Sequence, residues 1–128
     1  YITIEHIYPQ NSRKKCWQLN FGQFTTSEKK SLKNSLGNLL PLSKPKNSSL
    51  SDKCFVDKKN NDNNTVGYSY GSFAENKIAK KNYWTPQDIL KRGVELLNFM
   101  ETRWNLKLGS QKEKIEFLRL EFLLKVKK

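Results

Sequence analysis

The sequence predicts an α+β domain in which two short strands precede a helix, and further helices form the rest of the chain. Three patterns predict this class: alternating apolar and polar residues at the N-terminus, an apolar run that contains a proline after residue 37, and helix-start signals followed by apolar residues at helical spacing. A length of 128 residues is that of one domain. We expect a single domain over 1–128, with a core at 1–60 and a helical extension at 72–128.

The two predicted strands are short. Residues 2–5 alternate apolar and polar side chains and include β-branched ones, which is typical of a half-buried strand, and Pro9 ends this pattern soon after His6. Residues 38–42 predict the second strand, which Pro41 restricts to an edge or a bulge because proline cannot donate to the ladder. His6 is therefore expected where the first strand ends.

Capping residues predict the helices. They place helices at about 27–35, 47–59, 73–81, 86–105 and 111–126, and leave 12–23 irregular. The strongest start signal is Thr85 as the cap, with Pro86 at the first helical position and Asp88 three residues after the cap. The last predicted helix is apolar on more than one face, which indicates packing against a missing segment or partner, or against the core of this domain.

The net charge points to a polyanionic partner. The chain has 24 Lys+Arg against 12 Asp+Glu, a formal net charge of +12. Clusters of basic residues alternate with aromatic ones along both halves, and such a surface binds nucleic acid without reading its sequence. A solvated basic surface is the alternative that charge alone leaves open. No stretch is long and apolar enough for a membrane span and no signal peptide is visible, so we expect a cytoplasmic protein.

Cysteine usage excludes a structural zinc site. Cys16 and Cys54 are far apart in the sequence, and the chain has one histidine and no Cys-x-x-Cys. Disulfides belong to oxidising compartments, and nothing in the sequence indicates secretion, so we expect two separate thiols. The chain begins at Tyr1 without an initiator methionine, from which we expect a fragment of a larger protein.

His6 is the first candidate for chemistry. Histidine is the one side-chain type that accepts a proton near neutral pH in its ordinary state, and Glu5 precedes it. A histidine beside an acid is weak evidence alone, since a structural histidine fits equally. Two asparagines strengthen the case: Asn38 directly follows Gly37, and Asn47 lies nine residues later at the start of the next predicted helix.

These pieces together resemble the HNH, or ββα-metal, endonucleases. Glu-His-Ile-x-Pro-Gln at 5–10, Gly-Asn-Leu at 37–39 and Lys-Asn-Ser at 46–48 match the three signature pieces of that family in order. The interval between the two asparagines is similar to the one in HNH domains of CRISPR effectors. The whole chain more closely resembles the C-terminal nuclease domain of GmrSD-type modification-dependent restriction enzymes. That similarity extends to Phe55, Lys58, Trp84, Ile89, Arg92 and Trp104.

The resemblance implies a ββα-metal core and metal-dependent hydrolysis of DNA. In that interpretation His6 is the general base for water, and Glu5 and Asn47 hold one Mg²⁺ or Mn²⁺ through oxygen atoms. Asn38 holds the loop and helps to orient His6, while Lys58 adds positive charge at the transition state. Each has a structural alternative; Asn47, for example, is also a good helix cap.

The expected DNA contacts are basic residues, namely Lys44, Lys46, Lys58, Lys59 and Arg92. Lys59 is an alternative to Lys58 at the phosphate, and Arg92 is equally well explained as a buried ion-pair partner. The resemblance also implies an N-terminal NTPase domain or subunit that selects modified DNA. No Gly-x-x-x-x-Gly-Lys loop occurs in this sequence, so we expect that domain to lie in a missing part. We expect duplex DNA as the substrate and a homodimer for double-strand cleavage. A non-catalytic nucleic-acid-binding module and an RNA-cleaving HNH domain are the competing interpretations.

Overall fold

The computed structural model describes residues 2–60 and 67–124 and confirms the α+β class. The elements in chain order are β1 (Ile2–His6), α1 (Lys15–Phe21), α2 (Thr26–Asn34), β2 (Leu39–Ser43), α3 (Lys44–Leu50), α4 (Phe55–Lys59), α5 (Phe73–Ala79), α6 (Pro86–Trp104) and α7 (Gln111–Phe117). Short 3₁₀-helices lie at Leu36–Asn38, Tyr68–Tyr70 and Glu121–Leu124. Within the described residues, no helix is both long enough and apolar enough to cross a membrane.

The hairpin turns its acidic residue inward. β1 and β2 pair antiparallel, with Ile2 opposite Ser43 and His6 opposite Leu39. The alternation along β1 is as predicted, but Ile2 and Ile4 are 72% and 55% exposed while Glu5 is buried. Successive side chains of a strand point to opposite faces. Because Glu5 points into the interior, Ile2 and Ile4 lie on the surface.

Two helical predictions near the core are wrong. The segment expected to be irregular contains α1, which buries Trp17 and Phe21 four residues apart against the ring of Tyr8. The single helix predicted at 47–59 is instead α3 and α4, and the break falls at Ser51, whose φ is 43°. A residue with this backbone conformation cannot continue an α-helix, so α3 ends before it and α4 begins at Phe55.

The expectation of two separate thiols is also wrong, because Cys16 and Cys54 form a disulfide across a sequence separation of 38. α1 carries Cys16 to this position, and Nε1 of the adjacent Trp17 donates to the backbone carbonyls of Asp52 and Lys53, at 3.2 Å each. Chain-entropy reasoning gives about 4 kcal/mol of stabilisation for a closed loop of this size. The two cysteines are distant in the sequence, and α1, the helix that brings Cys16 close to Cys54, was not predicted, so the disulfide was not expected.

The C-terminal helices follow the predicted caps. Thr85 forms a capping box with Asp88, and Ser110 forms one with Glu113. The last helix is shorter than predicted: α7 ends at Phe117, and the chain turns back to bury Leu120, so much of its apolar excess lies in the core of this domain. The predicted end of that helix, at 125–126, lies outside the described residues.

α6 supports the turn that carries Asn38. A Cβ at Gly37 would lie 1.9 Å from the backbone oxygen of Ile89, so only glycine permits the close crossing of α6 over this turn. Arg92 of α6 donates from Nη1 to the carbonyls of Gly37 and Leu39, at 3.0 and 2.7 Å. The helical extension thereby fixes the segment between the turn and β2.

Candidate active site

The motif residues of β1 and α3 meet at one cavity. Glu5 and His6 at the end of β1 and Asn47 on α3 line a cavity of about 210 Å³. The same cavity is also lined by Pro9, Gln10, Asn11, Ser51 and Asp52. Residues that are more than 40 positions apart in the sequence therefore face one solvent-accessible space, which is the juxtaposition that their order predicted.

Glu5 has one anchored carboxylate oxygen. Its Oε2 accepts from Nζ of Lys58 at 3.1 Å and from the hydroxyl of Tyr68 at 2.7 Å. Burial raises the pKa of Glu5 above its ordinary value of 4.5, while the charge of Lys58 and the bond from Tyr68 oppose the rise. Among the described residues no donor contacts Oε1, and Glu5 is one of the residues that line the cavity.

Lys58 lies inside the protein. Its side chain is fully buried, and Nζ donates to Glu5, to the carbonyl of His6 at 3.0 Å and to the carbonyl of Ile7 at 3.1 Å. An ammonium group has three N–H donors, so these bonds use all of them. Burial lowers the pKa of Lys58, and the carboxylate of Glu5 opposes this shift. Lys58 is thus placed to hold Glu5 and the end of β1, not to contact DNA.

Asn38 fixes the loop that follows His6. Its Oδ1 accepts from the backbone N–H of Tyr8 at 2.7 Å and from Nε1 of Trp84 at 3.0 Å. Its Nδ2 donates to the carbonyls of Tyr8 and Lys33, both at 2.9 Å. The fully buried amide therefore uses its whole hydrogen-bonding capacity, and it positions the His6 loop without touching the imidazole.

Two residues that the sequence did not single out contact the imidazole. Nε2 of His6 lies 3.3 Å from Oδ1 of Asn34 and 3.3 Å from Nε2 of Gln10. A protonated Nε2 donates to Asn34, which leaves Nδ1 as the nitrogen that can accept a proton; an unprotonated Nε2 accepts from Gln10 instead. Gln10 belongs to the motif at 5–10, whereas nothing in the sequence linked Asn34, on α2, to His6.

The oxygen donors of the cavity fit a hard divalent cation. Nδ2 of Asn47 donates to Oγ1 of Thr3 at 2.8 Å, which fixes the amide and leaves Oδ1 as its acceptor. Oδ1 of Asn47 and Oε1 of Glu5, with Asp52 on the same cavity, form the kind of partial oxygen set that Mg²⁺ or Mn²⁺ binds while keeping several waters. Within the described ranges, no group of three or more His, Cys, Asp or Glu is placed to hold a metal ion.

The other predicted DNA contacts are mostly engaged within the protein. Lys46 forms an ion pair with Glu75, and Nζ of Lys59 donates to the carbonyl of Lys81 at 2.7 Å. Arg92 is bound to backbone carbonyls beneath the turn, and its desolvation lowers the pKa of the guanidinium. Of the five residues, Lys44 at the start of α3 is the one that is exposed.

The antiparallel hairpin, the following helix and the cavity between them define a small ββα-type nuclease domain. Residues 1–99 match the family described as GmrSD restriction endonucleases, C-terminal domain. This match covers most of the chain, and the chain belongs to that family, which is a nuclease domain of restriction enzymes. Comparison with curated proteins and with solved structures found no match.

Proposed function

We propose that this domain is an HNH-type, metal-dependent DNA endonuclease that hydrolyses phosphodiester bonds. The proposal rests on one observation: Glu5, His6 and Asn47, the three motif residues that supply a base and oxygen ligands, border the same cavity. Membership of a restriction-endonuclease family supports the same reaction class. The basic charge of the chain supports a polyanionic substrate.

His6 acts as the general base. With its Nε2–H directed to Asn34, Nδ1 takes a proton from water as the water oxygen attacks the phosphorus atom. A new P–O bond forms, the bond to the 3′ oxygen breaks, and that oxygen leaves with the bonding electron pair and is protonated by solvent. The Asn34 contact fixes the ring plane, so the direction in which the proton is taken is set before substrate binds.

Glu5 Oε1 and Asn47 Oδ1, with Asp52 beside them, would hold one Mg²⁺ or Mn²⁺. When bound, such an ion neutralises the charge that develops on the phosphate and on the leaving oxygen. Lys58 and Tyr68 prepare Glu5 for this role by holding its other oxygen and by favouring the charged carboxylate against the effect of burial. The role of Lys58 in this proposal is therefore to position Glu5.

Membership of the family supports a proposal about the larger protein in which the domain acts. We propose that the domain acts within a larger restriction protein that defends the cell against foreign or modified DNA. An N-terminal NTPase domain or subunit would select the DNA, and the exposed Lys44 would contact the phosphate backbone beside the cavity. One cavity handles one strand, so a single copy is expected to nick and two copies to cut both strands.

The test is a plasmid-nicking assay. Supercoiled DNA is incubated at low salt with Mg²⁺ or Mn²⁺ and the domain, its His6→Ala variant or the exposed-site control Gln87→Ala. We expect nicking by wild type and control, a loss of about 10²-fold or more in His6→Ala, and no nicking in EDTA. Cleavage that survives EDTA or the His6 substitution contradicts the proposal. A gel shift without nicking favours a binding module, and cleavage of RNA but not DNA favours an RNA nuclease.

A further inference from the structure

A second cavity adjoins the candidate base. This cavity, of about 460 Å³, lies between α2 and the turn that follows α7. We call it the α2 groove and define it by Ser27, Lys30, Ser31, Asn34 and Arg119. The four α2 residues are spaced three and four apart, so they project from one face of the helix.

The lining of the α2 groove suits an anion. Lys30 and Arg119 are exposed cations, and the hydroxyls of Ser27 and Ser31 add hydrogen-bond donors, while Nδ2 of Asn34 donates to the carbonyl of Lys30 at 3.1 Å. No carboxylate lines the groove, and among the described residues neither cation forms an ion pair. Donors and positive charge without an opposing acid match a phosphate group.

The backbone at Arg119 is held in an unusual conformation. Its N–H bonds to the carbonyl of Glu116 at 2.9 Å, and the N–H of Leu120 bonds to the carbonyl of Ile115 at 3.2 Å, which together form a Schellman helix end. The left-handed position of this motif normally holds glycine, yet Arg119 occupies it with a φ of 61°. A strained non-glycine residue is a reason to look for a function of its side chain, and here that side chain borders the groove.

The α2 groove begins at the candidate active site. Asn34 lines it and also contacts His6, 3.3 Å from Nε2. From Asn34 to Ser27 the helix rises by about 10 Å at 1.5 Å per residue. One strand of a duplex advances about 3.4 Å per nucleotide, so the groove spans about three nucleotides.

We infer that the α2 groove binds a backbone phosphate of the substrate nucleic acid within about three nucleotides of the bond that is cut. This inference rests on the proposed nuclease function, and it adds Lys30 and Arg119 as the residues that contact this phosphate. The contact is independent of base sequence, so it positions the strand over His6 and contributes to affinity for every sequence.

Two variants and two matched controls test the inference. Arg119→Gly removes the cation while suiting the left-handed backbone, and Lys30→Gln removes the other charge on an exposed helical position. Arg103→Gln and Lys112→Gln remove exposed cations that do not line the groove. Binding of a fluorescein-labelled duplex is measured by anisotropy in EDTA over a range of KCl concentrations, so that cleavage does not interfere.

Each groove variant should raise Kd about five- to tenfold near about 100 mM salt and reduce the slope of log Kd against log salt by about one. The controls should stay within about twofold of wild type, because they lie outside the groove. The melting temperature of Arg119→Gly should not fall below that of wild type, which separates lost binding from lost folding.

If wild type binds and nicks DNA but the groove variants bind as tightly as the controls, the inference about phosphate binding in the α2 groove is wrong and the proposed nuclease function stands. A wild-type domain that neither binds duplex DNA nor nicks it overturns both.

Discussion

The buried and the exposed parts of the candidate site differ in how completely their side chains are hydrogen-bonded. In the buried part, the side chains of Lys58 and Asn38 use every hydrogen-bonding group they have, and all seven of these bonds are 3.1 Å or shorter. In the exposed part, the imidazole of His6 has contacts of 3.3 Å to two alternative partners, Asn34 and Gln10. The buried hydrogen bonds fix the position of the end of β1, whereas the exposed imidazole of His6 has two alternative hydrogen-bond partners.

The largest effect on stability should come from removing the positive charge beside the buried carboxylate of Glu5. Lys58→Met leaves Glu5 in the interior without its cation, and we expect a loss of about 3–5 kcal/mol of unfolding free energy. Adding Glu5→Gln should recover about 1–2 kcal/mol, because the unpaired charge is removed. Urea denaturation measures both.

The adjacent lysine is the matched control. Lys59→Met loses one bond to a backbone carbonyl at a partly exposed site, and should cost about 1 kcal/mol or less. If the two lysine variants were equally stable, the two parts of the site would not differ as described.

A pair of asparagines gives an intermediate effect. Asn38→Ala leaves buried groups of Tyr8, Lys33 and Trp84 without partners and should cost about 2–4 kcal/mol. Asn34→Ala should change stability by about 0.5 kcal/mol or less but lower nicking, because the imidazole loses one of its two orienting contacts. Thermal unfolding and the nicking assay are measured on both variants, and a greater stability loss in Asn34→Ala would reverse the comparison.

The smallest effect is a dependence of stability on pH. The raised pKa of Glu5 means that the folded protein retains a proton that unfolded glutamate has lost above about pH 4.5. This contribution is complete below that pH and is lost as pH rises through the folded-state value, at about 1.4 kcal/mol per tenfold difference in proton affinity. The unfolding free energy of wild type should fall across this window relative to Glu5→Gln. A parallel pH profile for the two proteins would show that Glu5 carries no such proton.

Local signals predicted much of the fold and part of the site. The caps at Thr85 and Ser110 act within one helical turn, so the sequence contains all that is needed to recognise them. The motif pieces at His6 and Asn47 likewise lie on β1 and α3, which border the cavity, whereas Asn38 is buried outside it. These inferences succeeded because each rests on neighbouring residues or on a pattern that the family shares.

The remaining features depend on tertiary packing. Lys58 and Lys59 look equally solvated in the sequence, and Phe55 lies three and four residues before them, so it shares a helix face with both and does not show which lysine is buried. The contact of Asn34 with His6 spans 28 residues and depends on how α2 lies against the loop. No local pattern encodes such a distance, so the structure was needed to find it.

The disulfide divides the chain into a covalent ring and two tails. The ring closed by Cys16 and Cys54 carries both motif asparagines, whereas His6 enters the site from one tail and Lys58 from the other. A single break of the peptide chain inside the ring leaves one connected molecule, and reductant is then required to release the pieces. A break between His6 and the ring separates His6 from the rest of the candidate site. Cleavage of the backbone therefore leaves the candidate site covalently connected when it occurs inside the ring, but not when it occurs between His6 and the ring.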